Sequence, residues 1–189
     1  CSNTRFSRLM ATVNLLPNAD LANDWTLSTG SDLYEVINED NTGAAFADGS
    51  TASTTTAGHE FYVALTNFTE DFSSIDSVQV VVRAGVNSRG ATFRIRTALT
   101  DSAGSPNILY DETSGTQNAS IGYRTITFTS RTTSDGSSAW TNTDLNNLRL
   151  LVEADVLSTG TCRCTFAYAI VTYTEPVATD NAVFFGTNF

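Results

Sequence analysis

The sequence alternates between apolar and polar residues in several short runs, and this period constrains the fold most. In "SVQVVVRA" (77–84), Val78, Val80 and Val82 would lie on one face of a strand, with Gln79 and Arg83 on the other. Successive side chains of a strand point to opposite faces, so this period predicts strands that are buried on one side. Similar runs occur at 33–37, 60–65, 92–99, 107–110, 123–130, 148–154 and 162–173. The pattern predicts about eight strands.

The segments between these runs are rich in glycine, serine, asparagine and aspartate, as in "TDSAGSP" (100–106) and "TTSDGSS" (132–138). Such residues favour turns, and many short strands joined by turns are typical of antiparallel sandwiches. We therefore predict an all-β antiparallel β-sandwich over residues 15–175. An N-terminal arm (1–14) and a C-terminal arm (176–189) would flank it. The length of 189 residues suits one such domain.

One short helix is predicted within "WTNTDLNNLRLL" (140–151). Thr143 can cap it, and Asp144 would lie in the first turn, where the helix dipole favours an anion. Leu145 and Leu148 are three residues apart and would share its buried face. The helix would have two turns at most and would lead directly into a strand.

The charge composition argues against two classes of partner. The chain has 20 acidic and 10 basic residues, every basic residue is arginine, and the net charge is -10. Binding of phosphate backbones requires a basic surface, so we expect no nucleic-acid partner. No apolar run approaches the length of about 18 residues that spans a bilayer, so we expect no membrane partner. The acidity is explained by solubility.

Two cysteines lie one residue apart in "TGTCRCTFAYAIVTYTEP" (159–176). The strand period predicts that one face holds Cys162, Cys164, Phe166, Tyr168 and Ile170. Parallel side chains at this spacing do not suit a disulfide, so both cysteines are interpreted as small buried apolar residues. A zinc site needs three or four Cys or His ligands, and only His59 and Cys1 remain to complete one, without supporting spacing.

No motif in the chain carries catalysis or cofactor binding. His59 is the single histidine, and nothing resembles the Gly-x-Ser-x-Gly motif of a serine nucleophile. The acidic residues Glu39, Asp40 and Asp48 do not match the spacing of a calcium loop. We therefore predict a non-enzymatic protein with no metal and no cofactor.

Four segments carry a resemblance to a known group of proteins. They are "NLLPNADLANDWT" (14–26), "LYEVINED" (33–40), "AWTNTDLNNLRLLVEADV" (139–156) and "FAYAIVTY" (166–173). Together they resemble small β-sandwich modules in the virion structural proteins of tailed bacteriophages. In those modules a Trp-Thr pair and a short helix precede two closing strands, and Trp140 and Leu145 would anchor the helix to the core.

The resemblance implies a jelly-roll-like sandwich that serves as a capsid decoration (cement) protein, or as a head or tail fibre, on the outer surface of a virion. Its partners would be the major capsid protein or other virion subunits, and the protein would form a homo-oligomer. The subunit-contact candidates are Phe6, Val183, Phe184, Phe185 and Phe189. Exposed phenylalanines cost free energy unless they pack somewhere, so the C-terminal arm either folds back on its own domain or docks on a neighbour.

A carbohydrate-binding module that contacts host surface glycans is the alternative, because β-sandwiches commonly present aromatic platforms. The candidates are Trp25, Trp140, Tyr34, Tyr110 and Tyr123. Aromatic residues of a sandwich more often belong to its core, and the fold by itself does not choose between the two functions.

Overall fold

The computed structural model of the protein describes residues 9–38, 49–101, 108–118 and 122–177. These residues form twelve strands and two five-residue helices. The strands are β1 (Met10–Leu15), β2 (Pro17–Asn23), β3 (Thr26–Leu27), β4 (Ala52–Thr54), β5 (Glu60–Leu65), β6 (Ser74–Val86), β7 (Thr92–Thr100), β8 (Ile108–Thr113), β9 (Gln117–Asn118), β10 (Gly122–Thr127), β11 (Arg149–Leu157) and β12 (Cys162–Thr174). The helices are α1 (Leu33–Ile37) and α2 (Asn142–Asn146).

The strands form two antiparallel sheets whose inner faces pack together. Sheet 1 has the order β10-β6-β12-β4-β3, and β1 also pairs with β12. Sheet 2 has the order β2-β5-β11-β7-β8, and β9 also pairs with β7. The core between them includes Phe61, Phe93, Ile95 and Leu150, all buried. The predicted all-β antiparallel sandwich is confirmed.

The alternation in β6 is realised as predicted over most of the strand. Val78, Val80 and Val82 are buried in the core. Arg83 follows on the outer face, where it is partly exposed. The strand is therefore amphipathic because only its inner face meets the other sheet.

The run "LYEVI" forms helix α1, so its prediction as a strand is wrong. Leu33, Val36 and Ile37 are buried, and their spacing of three and four residues suits one face of a helix. The Asp20 carboxylate accepts hydrogen bonds from the backbone amides of Leu33 at 2.6 Å and Tyr34 at 2.7 Å. A residue of another element thus supplies partners for the amides that begin the helix.

Helix α2 confirms the predicted short helix, but Thr141 caps it rather than Thr143. The Thr141 hydroxyl accepts from the Asp144 amide at 3.1 Å, and the Asp144 carboxylate accepts from the Thr141 amide at 2.8 Å. This reciprocal capping box requires an acidic residue three positions after the cap. Thr141 meets that requirement, whereas Thr143 immediately precedes Asp144. Leu145 is buried, as predicted.

The prediction that Cys162, Cys164, Phe166, Tyr168 and Ile170 share one face is wrong. A β-bulge lies between Cys164 and Phe166, where β12 pairs with β6. The extra residue of a bulge shifts the alternation by one position. The cysteines consequently face the core, whereas Phe166 and Tyr168 pack with Val81 in a separate cluster on the outer face of sheet 1.

The two predicted arms are described only in part. Residues 10–14 of the N-terminal arm belong to β1, because this segment pairs with the end of β12. The subunit-contact candidates lie outside the described residues; they are Phe6, Val183, Phe184, Phe185 and Phe189. Within the described residues, neither helix has the length and apolar composition needed to cross a bilayer.

Candidate functional site

One row of residues crosses five strands on the outer face of sheet 1, and we call it the outer row. Strand pairing places its members side by side in the order Thr26, Ser53, Arg163, Gly85 and Tyr123. Their chain neighbours on β4, β6 and β12 are buried in the core, so the row itself faces outward. Four interstrand spacings of about 4.8 Å give the row a length of roughly 19 Å.

A groove of about 290 Å³ lies at the β3–β4 end of the outer row. Its lining residues are Asp24, Thr26, Ser53, Thr54, Thr55, Thr56, His59 and Thr161. Six of them carry hydroxyl groups, and the others supply a carboxylate and an imidazole. The Thr54 hydroxyl lies 3.2 Å from Nδ1 of His59. The groove therefore offers both hydrogen-bond donors and acceptors.

Trp25 connects the two walls of the groove, one of which contains Asp24 and the other His59. It is buried, and its ring meets Phe61 edge-on with centroids 5.2 Å apart. Its indole Nε1–H donates to the carbonyl of His59 at 3.0 Å. The adjacent Asp24 amide donates to the Glu60 carbonyl, also at 3.0 Å. The Asp24 wall and the His59 wall are thus fixed relative to each other by the core.

A smaller depression of about 100 Å³ lies at the β10 end of the row. Its lining residues are Gly85, Val86, Asn87, Gly122, Tyr123 and Arg163. A Cβ atom on Gly85 would meet the Gly122 carbonyl and the Tyr123 backbone, so β10 can approach only a glycine here. Gly85 lies between Tyr123 and Arg163 in the strand pairing, and all three residues line the depression.

An arginine contacts the Tyr123 ring, and another arginine lines the same depression. The Arg83 guanidinium carbon is 5.6 Å from the ring centroid, within the range of a cation–π contact. Arg163 lines the depression on the opposite side of Gly85. Arg163 forms no ion pair within the described part of the chain, whereas Arg94 and Arg96 both bind carboxylates there.

The outer face of sheet 2 is different, because its charged groups neutralise one another. Arg96 donates two hydrogen bonds to Asp111, at 2.9 and 2.8 Å, and a third to Glu153 at 2.7 Å. Burial, followed by the charge of Glu60, raises the pKa of the neighbouring Tyr62. This face is a self-paired network, and its arginine is already engaged by two carboxylates.

The five aromatic candidates divide into core and surface residues. Trp25, Trp140 and Tyr110 are buried, each with 4% of its surface exposed. Tyr34 and Tyr123 are partly exposed, and of these Tyr123 lines the depression. Of the five candidates, both tryptophans thus belong to the core, and Tyr123 is partly exposed at the depression.

Of the residues weighed for metal or redox chemistry, the structure describes Cys162, Cys164 and His59. Cys162 and Cys164 are free and buried, and burial raises the pKa of the Cys162 thiol to about 12. Among the described residues, no three His, Cys, Asp or Glu side chains form a group that could hold a metal ion. Glu39, Asp40 and Asp48 lie outside those residues.

Arg163 and Gly85 line the depression but are not among the site residues predicted from the sequence. A glycine inside a strand pattern indicates a bulge or a close backbone approach, so Gly85 carried a usable signal. Arg163 carried none, since one polar residue between two cysteines is ordinary strand alternation. Its importance depends on neighbours that only strand pairing supplies.

The fold and the outer row together define a β-sandwich with a polar surface site. No protein-family model and no curated protein sequence matches this chain. Among solved structures, the chain is similar to "Truncated AlyQ with CBM32 and alginate lyase domains". The TM-score is 0.43 and the identity 16%, covering 91% of this chain and 35% of that chain.

Two further structures are similar to the chain. One is titled "CBM4 structure and function", with a TM-score of 0.34, 9% identity, and coverage of 65% of this chain and 78% of that chain. The other contains the CBM22-1-GH10 modules of Clostridium thermocellum xylanase 10B with xylohexaose, with a TM-score of 0.42 and 16% identity. It is matched over 88% of this chain and 29% of that chain. The chain thus spans about a third of the AlyQ and xylanase chains.

Proposed function

We propose that this protein binds carbohydrate along the outer row of sheet 1. The observation that supports this is the continuity of the row, with Tyr123 at one end and the hydroxyl-lined groove at the other. A sugar ring has apolar C–H faces and a rim of hydroxyls. The Tyr123 ring can pack against such a face. The groove supplies the donors and acceptors that hydroxyls need.

The dimensions favour a chain of sugars over a single one. The groove of about 290 Å³ lies near the lower limit of about 300 Å³ for small-molecule sites. The row extends beyond the groove over a total of roughly 19 Å. A ligand that reaches both the groove and Tyr123 must therefore be an extended oligosaccharide that lies across the strands.

A glycan array followed by calorimetry on the best ligand tests this function. The variant is Tyr123→Ala, and the matched control is Tyr62→Ala, which removes a partly buried tyrosine from the outer face of the opposite sheet. We expect Tyr123→Ala to weaken binding by at least about tenfold, because burying a large apolar side chain contributes roughly 1.5–3 kcal/mol. Tyr62→Ala should bind normally. Equal losses in the two variants, or no glycan bound by the native protein, would contradict the proposal.

Placement on a virion is a separate proposal, which the resemblance to phage structural proteins supports. The two proposals are compatible, because a non-enzymatic module on a capsid or fibre could contact host glycans. Particles that lack residues 176–189 of this chain test the arm's role in attachment. Reduced occupancy of the protein on purified particles is expected, and unchanged occupancy would contradict a role for the arm.

A further inference from the structure

We propose that the depression between Tyr123 and Arg163 binds the carboxylate of an acidic sugar, so that the glycan contains uronic acid or a similar carboxylated residue. This inference rests on the proposed function and names the substrate class of the same site. The first reason is the chemistry of the lining. Its charged side chain is Arg163, and no carboxylate lines it.

The polar side chains around the depression present hydrogen-bond donors. Arginine has five N–H donors and no acceptor. The Oδ1 atom of Asn87 already accepts from the Thr161 amide at 2.8 Å, so the remaining polar group of that side chain is its Nδ2 donor. A ligand group that only accepts hydrogen bonds matches this lining, and an ionised carboxylate is such a group.

The state of Arg163 is the second reason. Among the described residues it has no carboxylate partner, although the protein carries a net charge of -10. In contrast, Arg96 on the opposite sheet is held by Asp111 and Glu153. The guanidinium group of Arg163 therefore retains its charge and its paired N–H donors, which can bind a carboxylate through two parallel hydrogen bonds.

The size of the depression is the third reason. Its volume of about 100 Å³ is a third of that of the groove, so it suits a substituent of a sugar ring better than a whole ring. Gly85 lets the β10 backbone come close enough to form one side of this space, since a Cβ there would collide with the Gly122 carbonyl. The sugar ring itself would then lie against Tyr123, with its hydroxylated neighbours extending towards Ser53 and the groove.

The test uses a panel of uronate-containing polysaccharides, each paired with its carboxyl-reduced form, in which the same sugar carries a neutral CH₂OH group. Binding to the whole chain is measured at about 0.15 M salt, where the Debye length of about 8 Å screens the long-range repulsion between two acidic polymers. We expect at least one acidic form to bind about tenfold more tightly than its reduced partner, because charge-assisted hydrogen bonds are the stronger kind.

Arg163→Gln should abolish this preference while weak binding of the reduced form persists. Arg163→Lys, which keeps the charge but loses the paired N–H donors, should retain part of the preference. The matched control is Arg94→Gln, on the opposite sheet, which should behave as the native protein. Thermal unfolding of each variant verifies that it is folded.

The outcomes separate this inference from the proposed function. Equal binding of the acidic and reduced forms, or a preference for the reduced form, overturns the carboxylate site and leaves carbohydrate binding intact. A preference that survives Arg163→Gln overturns the assignment to this depression. Absence of binding to every member of the panel and of the neutral array overturns both proposals.

Discussion

Replacing Trp25 with phenylalanine tests how the core positions the groove. The indole is 4% exposed and donates its N–H to the His59 carbonyl at 3.0 Å. It also meets Phe61 edge-on at 5.2 Å. Phenylalanine keeps a six-membered ring at this position but removes the N–H and the rest of the indole. The change therefore releases the His59 wall without removing any residue that lines the groove.

The expected cost has two parts. The lost hydrogen bond contributes about 1 kcal/mol. The side chain becomes smaller by roughly 40 Å³, which costs about 1 kcal/mol at 24 cal/mol per Å³ of cavity. The His59 carbonyl still accepts from the Ala154 amide at 3.0 Å, so no buried group is left without a partner. The total of about 2 kcal/mol corresponds to a fall in Tm of roughly 4–8 °C for a chain of this size.

Trp140→Phe is a closely matched control. Trp140 is also 4% exposed, and its Nε1–H donates to the Arg131 carbonyl at 2.9 Å. That carbonyl likewise retains a backbone partner, the Val78 amide, at 2.9 Å. Both variants should therefore lose about 2 kcal/mol of unfolding free energy. Only Trp25→Phe should also weaken glycan binding, since Trp140 does not contact the groove.

Urea denaturation followed by circular dichroism measures the stability, and calorimetry measures glycan binding. Circular dichroism is used because each variant removes one of the two tryptophan fluorophores. A loss below about 0.5 kcal/mol in Trp25→Phe would refute the assigned hydrogen bond and packing. Equal binding losses in the two variants would refute the link between Trp25 and the groove.

Two further predictions concern the thiols and pH. In a Cys1→Ser background, Cys162 and Cys164 should react with a thiol reagent at pH 8 only after denaturation. The reason is burial, which raises the pKa of Cys162 to about 12. Rapid reaction of the native protein would contradict this prediction. Hydrogen bonds to its carboxylate, above all from the Ser138 amide, lower the pKa of Asp135 below its usual 3.8. The folded state then binds this proton less readily than the unfolded state, so the stabilisation is present above about pH 4 and lost as the pH falls further. Asp135→Asn should lower the free energy of unfolding at pH 7, as measured by urea denaturation, and the difference from the native protein should shrink below pH 4. A difference that stays constant with pH would contradict the role of the Asp135 carboxylate.

Whether the sequence predicts the buried face of a strand depends on how regular that strand is. The alternation of Val78, Val80 and Val82 predicted their burial because face assignment in a regular strand is a local property. The same rule failed after Cys164, since a bulge is set by pairing with β6. The rule also failed at α1, because a run of five residues is too short to distinguish a strand from a helix. In addition, the backbone amides that begin this helix donate to Asp20, which belongs to another element.

The sequence by itself determined the class of fold, the acidic surface and the amphipathic strands. Those properties follow from residue type and spacing along the chain. Only the tertiary structure decided which residues are neighbours across the sheets. Thr26, Gly85 and Tyr123 belong to one row because three strands distant in sequence align in register. The alternation of residues along the sequence determines which face of its strand a side chain occupies. The packing of the two inner faces determines which strand lies beside it and in which register the two strands pair.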